Sequence, residues 1–482
     1  MKIHLATITG TCLALTSTAF AQKAIPNHAI ANLVLGQSDF VTSSFSGPFS
    51  SLRMQFPSGL AIDPNTGKLF VSEADGDRVL RYGSAASLAN GAPAEAVLGQ
   101  SNFTDQGTGA TQTNMSDPEG MHVDRFGRLW LADRANNRVL LFEAASFRAT
   151  GSQADRVFGQ PDFTTITAAI TANKMSVPTS VWVDSGDRLW VADNGNNRVL
   201  RFDSISTKQS GSPANGVLGQ VNFTSAAAGS GAAGLDRPLG VAVSPSGSLF
   251  VSCMTNNRVL RYDSAATLAN GAAATRVLGQ VDFTGTASGL SATALNSPGG
   301  LTITPGDDLF VVDRGNDRVL RFSKASTLLS GAAASGVIGQ VGFTTLKALV
   351  VDARSMDFIT SNNSSSADCH VDTSGNLWVP DTTNHRVLRF PPDTTLPLLT
   401  VTPVPPKTTT KKSIQIKGTA SDFYGISKVI YRVNGGVAKN ASGTTNWQFT
   451  TSLKKGPNTI LINAVDAVGN LSATRTIKIK RN

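Results

Sequence analysis

The stretch PTSVWVDSGDRLWVADNGNNRVLRF, residues 178–202, contains three short apolar runs separated by turn residues, and copies of it make up most of the chain. Its closing phrase, NRVLRF or a near variant, occurs six times in 482 residues, with arginines at Arg78, Arg138, Arg198, Arg258, Arg318 and Arg386. Four intervals between these arginines are 60 residues long and the last is 68. A period this long, built of short β-type runs, predicts a β-propeller or a linear array.

A fourth apolar run follows each of the first five copies, for example AVLGQSNF at residues 96–103. A similar run, VLGQSDF at residues 34–40, precedes the first copy, whereas none follows Phe390. We therefore predict that residues 34–40 supply the outer strand of the sixth unit and close a six-bladed ring. Closure would remove an open strand edge and bury Val34, Leu35 and Phe40, which stabilises the ring by about 1.5–3 kcal/mol per side chain.

The order of motifs within each copy resembles the NHL repeat. Pro-x-Gly leads into a hydrophobic strand that ends in Asp, followed by Leu-Trp-Val-Ala-Asp and Asn-Asn-Arg-Val-Leu-Arg-Phe, and the clearest copy is residues 178–202. The likeness covers about residues 33–390 and implies an all-β, NHL-type six-bladed propeller. NHL-type propellers include protein- and RNA-binding modules, sensor domains and a few enzymes, so the resemblance leaves the function open.

Composition changes after Phe390, where prolines mark a linker and the repeat period ends. Alternating runs follow, and the phrases GTASD and AVDAVGN resemble bacterial Ig-like modules, which implies a small β-sandwich. The predicted organisation is a signal peptide at 1–21, a propeller at 22–392, a Pro/Thr/Lys-rich linker and entering strand at 393–412, and an Ig-like sandwich at 413–482.

The first 21 residues have a lysine, an apolar stretch and Ala-Phe-Ala before Gln22, which predicts a secretory signal with cleavage after Ala21. No later run is apolar enough for a transmembrane segment, so we expect a protein that is secreted, periplasmic or displayed at the cell surface. Cys253 and Cys369 fall in nonadjacent units, too far apart for a disulfide, and are expected to be free and buried.

The positive charge belongs to the tail. Residues 397–482 contain 13 Lys and Arg against Asp422 and Asp466 in a chain of net charge +9. Such a field favours an anionic partner, for example a cell-surface polymer, although a solvated basic surface that keeps the protein soluble is also consistent with it. Nucleic acid is not expected as a partner, because no aromatic stacking platform accompanies the lysines.

Residues that recur in every unit are expected to be structural. Five residues before five of the six arginines is a carboxylate, and Cys253 replaces it in the fourth unit. We expect partly exposed ion pairs across each turn, worth about 0–1 kcal/mol. We also expect hydrogen bonds from the Gly-Gln glutamines to fasten the outer strands, and Trp130, Trp190 and Trp378 to lie in the core.

A ligand site requires asymmetry, so positions where the copies differ are better candidates. Near the end of the first strand the six copies have Ala61, His122, Trp182, Ala242, Thr302 and His370. His122 and His370, in the units on either side of the first, could approach one another in the central channel and bind a metal or act in acid–base chemistry. Two histidines fall short of a zinc set, and satisfied packing histidines are the simpler interpretation.

The loops between units form a second irregular feature. They share a face with the turns that carry Arg134, Asn194 and Arg314, whose side chains suit a protein or carbohydrate ligand. Arg134 and Arg314 lie in opposite units and could flank an anionic group at the channel mouth, or be solvated loop residues.

Two functions remain. The first is a noncatalytic binding propeller that presents its loop face to a protein or carbohydrate, with the Ig-like module as spacer or attachment and with no cofactor. The alternative is a lactonase- or lyase-type propeller enzyme with a channel metal. The ligand set of neither enzyme type can be aligned in the sequence.

Overall fold

A computed structural model of the chain describes residues 24–45, 47–345, 350–358 and 366–482. The predicted signal peptide at 1–21 lies outside these residues. Within them, residues 33–390 form six antiparallel sheets of four strands each, as the repeat period predicts. Each sheet is one blade, and blades are numbered from the first complete copy.

The strands of each blade occupy equivalent positions in the repeat. In chain order they are Pro57–Ile62, Lys68–Glu73, Arg78–Ser84 and Ala96–Leu98; Pro118–Val123, Leu129–Asp133, Arg138–Phe142 and Arg156–Phe158; Pro178–Val183, Leu189–Asp193, Arg198–Phe202 and Gly216–Leu218; Pro238–Val243, Leu249–Cys253, Arg258–Tyr262 and Arg276–Leu278; Leu301–Ile303, Leu309–Asp313, Arg318–Phe322 and Gly336–Ile338; and His370–Val371, Leu377–Asp381 and Arg386–Phe390, with Leu33–Leu35 as the fourth strand of blade six.

The strand Leu33–Leu35 closes the ring, as predicted. Its register places Leu33 opposite Arg389 and Leu35 opposite Val387, and all three of its side chains are buried. Arg386 Nη1 donates to the carbonyl of Phe40, which ties the N-terminal segment to blade six a second time. The closure is therefore made both by a strand ladder and by a buried arginine.

The fourth strands are shorter than the apolar runs suggest. The run 34–40 was predicted as one strand, but pairing ends at Leu35 because Gly36 has a φ of +83°, and a Cβ there would lie 2.4 Å from Met54 Cγ. Phe40 is consequently only partly buried, against the core between blades five and six. Glycines hold the equivalent position and the same left-handed φ in the other blades, for example Gly99 and Gly159.

The core lies between blades, where each sheet packs on the next. Trp130 of blade two packs with Val191 and Phe202 of blade three, and Trp378 of blade six packs with Leu69 of blade one. Trp130, Trp190 and Trp378 are buried, as predicted, and their indole Nε1 groups donate to Asp124, Asp184 and Asp372 at 2.9, 3.0 and 2.9 Å. Cys253 and Cys369 are buried free thiols, also as predicted.

The repeated arginines pair with the preceding carboxylates, but the prediction that these pairs are partly exposed is wrong. In the Arg138–Asp133 pair both side chains are 0% exposed and Nε lies 2.6 Å from Oδ2. The arginine also donates to the carbonyl of Phe163, which follows the fourth strand, and to those of Thr111 and Asn114, in the loop before the first strand. A charge pair buried this way is costly to break, by about 3–5 kcal/mol.

The C-terminal residues form two packed sheets. Their strands are Leu398–Val401, Thr408–Thr409, Ser413–Ser421, Ile426–Val433, Lys439–Asn440, Asn446–Ser452, Gly456–Asp466 and Arg475–Arg481. The first, third and sixth of these pair in one sheet and the other five in the second, and Val429, Trp447 and Ile462 fill the core between them. The strands at 398–401 and 408–409, within the predicted linker and entering strand, pair with these sheets.

The helical elements in the described residues are 3₁₀ segments of three residues: Ala145–Phe147, Asn194–Asn196, Ile205–Thr207, Ala265–Thr267, Arg314–Asn316, Ala325–Thr327 and Thr382–Asn384. No helix in the described part of the chain has the length and hydropathy to cross a membrane.

Candidate functional site

The central channel has two chemically different ends. The first strand of every blade lines the channel and runs from the interblade loops to the tight turn before the second strand, as in Pro57–Ile62 followed by the turn at Asp63. The turn between the second and third strands lies back at the loop side, where Ala74 N–H donates to the Phe56 carbonyl at 3.4 Å. We call these the turn end and the loop end of the channel.

The turn end holds a cavity of about 470 Å³. Its wall is mainly apolar, because the last residues of the first strands and the prolines of the turns converge there: Ile62, Pro64, Val123, Val183, Val243, Pro245, Ile303, Pro305 and Val371. The structure brings three of the sequence-predicted site residues together in this wall, His122, Trp182 and His370. The His122 and Trp182 rings lie 4.4 Å apart between centroids, with an interplanar angle of 36°.

Both histidines of the cavity are neutral at physiological pH. Burial, with a smaller contribution from the neighbouring His370, lowers the pKa of His122 to about 3. Burial also lowers the pKa of His370 to about 4, against the opposing effect of Asp372. The cavity therefore offers two uncharged imidazoles, each able to donate and accept a hydrogen bond, beside the face of an indole.

An exposed aromatic residue stands at the rim of this cavity. Phe126 is 57% exposed and lies in the turn of blade two, between the guanidinium groups of Arg125 and Arg128 at 4.7 and 5.0 Å from its ring centroid. Arg128 is itself fixed by Asp124 at 2.6 Å and by Asp187 at 3.1 Å. An exposed aromatic side chain that is positioned by cation–π contacts with two arginines is well suited to contact a binding partner.

Sequence reasoning missed Phe126, although a signal was present. The equivalent turn position holds Asn, Gly or Ser in the other five copies, at Asn65, Gly186, Ser246, Gly306 and Ser374. Turns favour Gly, Asn, Asp and Ser, so a phenylalanine at this position indicates a role other than forming the turn.

The loop end of the channel is closed by a buried polar network around Glu119. Glu119 is fully buried, and its Oε2 accepts hydrogen bonds from Ser58 Oγ at 2.8 Å and from the Ser366 N–H at 2.6 Å. Arg134 Nε lies 3.8 Å from Glu119 Oε1, and Arg134 Nη1 pairs with Asp117. The sequence did not identify Glu119 as a site residue.

Burial accounts for the acid–base properties of this network. Burial, with a smaller contribution from the charge of Asp117 and against the opposing effect of Arg134, raises the pKa of Glu119 to about 7. It also raises the pKa of Asp368 to about 8, with Glu119 adding to the shift. The two carboxyl groups repel one another, so the loop end resists holding both as carboxylates.

The other predicted loop-end residues are engaged within the protein. Arg314 is 1% exposed and donates to Met254 Sδ at 3.1 Å. Burial lowers the pKa of Arg314, against the opposing effect of Glu119. Asn194 is buried and donates through Nδ2 to the Pro238 carbonyl at 3.1 Å. Asp117 and Glu119 of the protein itself thus lie beside Arg134, and the charge of Glu119 also acts on Arg314.

The channel does not assemble a multidentate metal set from the residues described. The group of three or more His, Cys, Asp or Glu side chains whose ligand atoms lie within 4.8 Å of one another is found elsewhere, at Asp393, Asp422 and Asp466. His122 and His370 supply two nitrogen ligands at most, fewer than the three protein ligands of catalytic zinc sites.

Comparison with known families agrees with this architecture. Residues 51–323 match the model of the teneurin NHL domain. The chain belongs to the teneurin NHL domain family. Residues 399–462 match the model of a bacterial Ig domain, which places that fold after the NHL propeller. No curated protein matches the chain.

Solved structures with a similar course of the chain include lyases and a lactonase. A streptogramin B lyase is 12% identical over 72% of this chain and 95% of its own, with a TM-score of 0.39. A gluconolactonase from Xanthomonas campestris is 14% identical over 75% and 98%, with a TM-score of 0.41. Virginiamycin B lyase from Staphylococcus aureus is 12% identical over 71% and 96%, with a TM-score of 0.40. Similarities this weak transfer no activity to the chain.

Proposed function

We propose that this protein is an exported, noncatalytic binding propeller, and that its turn-end cavity receives an aromatic or aliphatic side chain of a protein ligand. The observation that carries the proposal is the open apolar cavity lined by His122, Trp182 and His370 with Phe126 at its rim. Loop-face binding, the expectation from sequence, has less support, because Arg134, Asn194 and Arg314 are occupied by groups of the protein itself.

The cavity has the size and chemistry of an anchor pocket. Its volume of about 470 Å³ lies within the roughly 300–1,000 Å³ of typical ligand pockets. Valines, isoleucines and prolines of the wall favour an apolar group, while the neutral imidazoles of His122 and His370 can each hydrogen-bond a polar atom at its edge. Protein interfaces concentrate their binding energy in such buried anchors.

The C-terminal Ig domain suits a spacer or an attachment to an anionic surface polymer. Of its basic side chains, Lys407, Lys411, Lys412, Lys417, Lys428, Arg432, Lys439, Lys454, Lys455, Arg475, Lys478 and Lys480 are exposed. Their charge is available to a partner, and a bacterial Ig domain is compatible with an exported protein.

Selection of peptides from a random display library on the full-length protein tests the proposal. We expect the selected peptides to share an aromatic or aliphatic anchor. Their Kd should rise about tenfold or more in Trp182→Ala and Phe126→Ala, because both changes remove anchor contacts. Phe147→Ala is the matched control, since Phe147 is 77% exposed and does not line the cavity.

The outcomes separate the alternatives. Equal peptide affinity in the cavity variants and in Phe147→Ala would reject the turn-end site. Failure to select any peptide, together with binding on a glycan array that is lost in Trp182→Ala, would replace the protein ligand by a carbohydrate.

A further inference from the structure

Three carboxylates meet where the propeller joins the Ig domain. Asp393, Asp422 and Asp466 each offer one oxygen, and these oxygens lie within 4.8 Å of one another. Asp393 follows the last propeller strand, Asp422 follows the strand Ser413–Ser421, and Asp466 ends the strand Gly456–Asp466. The cluster is therefore contributed by three separate segments.

Hydrogen bonds at the cluster connect the two parts of the chain. Asp393 N–H donates to the carbonyl of Ala24, in the segment that leads to the closing strand, at 3.2 Å. Asn470 Nδ2 of the Ig domain donates to the Asp393 carbonyl at 3.2 Å. A ligand bound by the three carboxylates would thus link the closing segment of the ring to the sandwich.

Two of the carboxylates have an oxygen that is buried and accepts no hydrogen bond. Asp393 and Asp466 are 3% and 1% exposed, and the Oδ2 atom of each has no hydrogen-bond partner. Their Oδ1 atoms are satisfied, by Thr395 in one case and by the N–H groups of Val468 and Asn470 in the other. A buried carboxylate oxygen without a donor is costly unless a cation compensates it.

The hydroxyl of Thr395 lies between two of the carboxylates and also favours a cation there. Its Oγ1 lies 2.6 Å from Asp393 Oδ1 and 3.2 Å from Asp422 Oδ2, but it has a single proton to donate. One of these two contacts therefore brings oxygen lone pairs together, and a cation between the carboxylates would relieve that repulsion.

The charge distribution isolates the cluster from basic side chains. Asp422 and Asp466 are the only acidic residues in 397–482, a segment with 13 Lys and Arg. Even so, no ion pair joins Asp393, Asp422 or Asp466 to a basic side chain in the described part of the chain. The three carboxylates therefore form a small anionic centre in a domain with an excess of positive charge.

We propose that Asp393, Asp422 and Asp466 form a Ca²⁺ site that fastens the Ig domain to the propeller. The ligands are all oxygens, the donor set of hard cations. Oxygens bound to one Ca²⁺ ion at about 2.3–2.6 Å lie at most about 4.6–5.2 Å apart, and the three oxygens of the cluster, all within 4.8 Å of one another, meet this limit. Mg²⁺ requires a tighter octahedron and retains its water, and Zn²⁺ prefers nitrogen and sulfur.

Calorimetric titration of the metal-free full-length protein with CaCl₂ tests this site. We expect one Ca²⁺ per chain, with a Kd of about 10⁻⁴–10⁻³ M and weaker binding of Mg²⁺. Ca²⁺ should also raise the melting temperature of the Ig domain, because it binds the folded form only. Asp393→Asn and Asp466→Asn should weaken binding about tenfold or more.

The Asn variants retain the oxygen that accepts the turn hydrogen bonds, and an unchanged circular dichroism spectrum checks that they fold. Asp282→Asn is the matched control, because Asp282 is an exposed carboxylate that accepts turn hydrogen bonds from Thr284 and Gly285 without other acids near it. Absence of saturable Ca²⁺ binding to the wild type, or equal binding by all three variants, would overturn the proposal. Mg²⁺ binding as tight as Ca²⁺ would overturn the choice of metal.

Discussion

The two ends of the propeller channel are built from the same six strands, yet one is filled and the other is open. At the loop end, Glu119 is fully buried and bound by Ser58, Ser366 and Arg134. At the turn end, His122, Trp182 and His370 border a cavity of about 470 Å³. Polar residues at the first end pair and hydrogen-bond with one another, whereas the aromatic residues at the second leave surface available to a ligand.

The difference shows how a repeat protein separates stability from binding. Side chains that recur in every blade, such as Arg138 with Asp133, hold strands and loops in place. The cavity instead depends on residues that occur in one or two blades, so its shape can change without loss of the scaffold.

The largest expected effect is at the filled end. Glu119→Ala would remove a buried carboxylate that accepts hydrogen bonds from the Ser58 hydroxyl and the Ser366 N–H and lies beside Arg134. We expect a loss of about 3 kcal/mol in the free energy of unfolding, measured by urea denaturation. Glu95→Ala is the control. Glu95 is itself exposed and pairs with Lys68 and with Arg81, and Arg81 keeps its bonds to the carbonyls of Ala145 and Arg148, so the change should cost less than about 1 kcal/mol. Equal losses in the two variants would show that the network around Glu119 is not structural.

At the open end the corresponding test is pH dependence. The folded-state pKa of His370 is about 4, below the roughly 6.5 of an unfolded histidine. Between these two pH values His370 is protonated in the unfolded chain but neutral in the folded chain. The contribution of His370 to the free energy of unfolding is therefore complete above about pH 6.5 and is lost as the pH falls toward 4. As the pH is lowered across this window, the free energy of unfolding of the wild type should fall by up to about 1.4 kcal/mol per pH unit more than that of His370→Gln.

Unfolding free energies at several pH values between 4 and 7.5 measure that slope. Thr302→Val is the control, since Thr302 lines the same cavity and does not titrate. A slope that is the same in wild type and His370→Gln would contradict the burial of a neutral imidazole at the open end.

A smaller effect is expected in blade four, where Cys253 stands in place of the carboxylate that pairs with the repeated arginine in the other blades. Arg258 Nη2 keeps its contacts to the carbonyls of Gly231 and Gly234 at 2.9 and 3.0 Å, but the thiol of Cys253 replaces the carboxylate. Cys253→Asp should restore the pair and raise the free energy of unfolding by about 1 kcal/mol. Cys253→Ser supplies no charge and should not raise the free energy of unfolding. An Asp variant no more stable than the Ser variant would contradict a stabilising role of the arginine–carboxylate pairs.

The smallest effect is spectroscopic. All five tryptophans lie in the described residues, and Trp130, Trp190, Trp378 and Trp447 are at most 2% exposed, whereas Trp182 is half-buried at the cavity. Acrylamide should therefore quench the Trp182 fraction of the wild-type fluorescence, and this quenchable fraction should be absent in Trp182→Phe. Quenching that persists unchanged in this variant would mean that the turn end is not open to small solutes.

The sequence predicted the ring because its period is regular and its fourth run is displaced to residues 34–40, which the pairing of Leu33–Leu35 with Arg386–Phe390 confirms. It identified His122, Trp182 and His370 as candidates at one repeat position and expected His122 and His370 to approach one another, and the cavity wall contains all three because equivalent repeat positions lie at equivalent heights in the channel. Glu119 escaped notice since its role depends on Ser366, 247 residues away. The exposure of the ion pairs was misjudged because their burial results from loops that fold over the arginines.

Hydrogen–deuterium exchange of the full-length protein, with and without a selected peptide, shows at which end of the channel the ligand binds. We expect protection of the turn-end segments 122–128, 182–187 and 370–373, which line the cavity, and no change in the loop 104–117. Protection confined to 104–117 and the neighbouring loops, with the turn-end segments unaffected, would contradict this expectation.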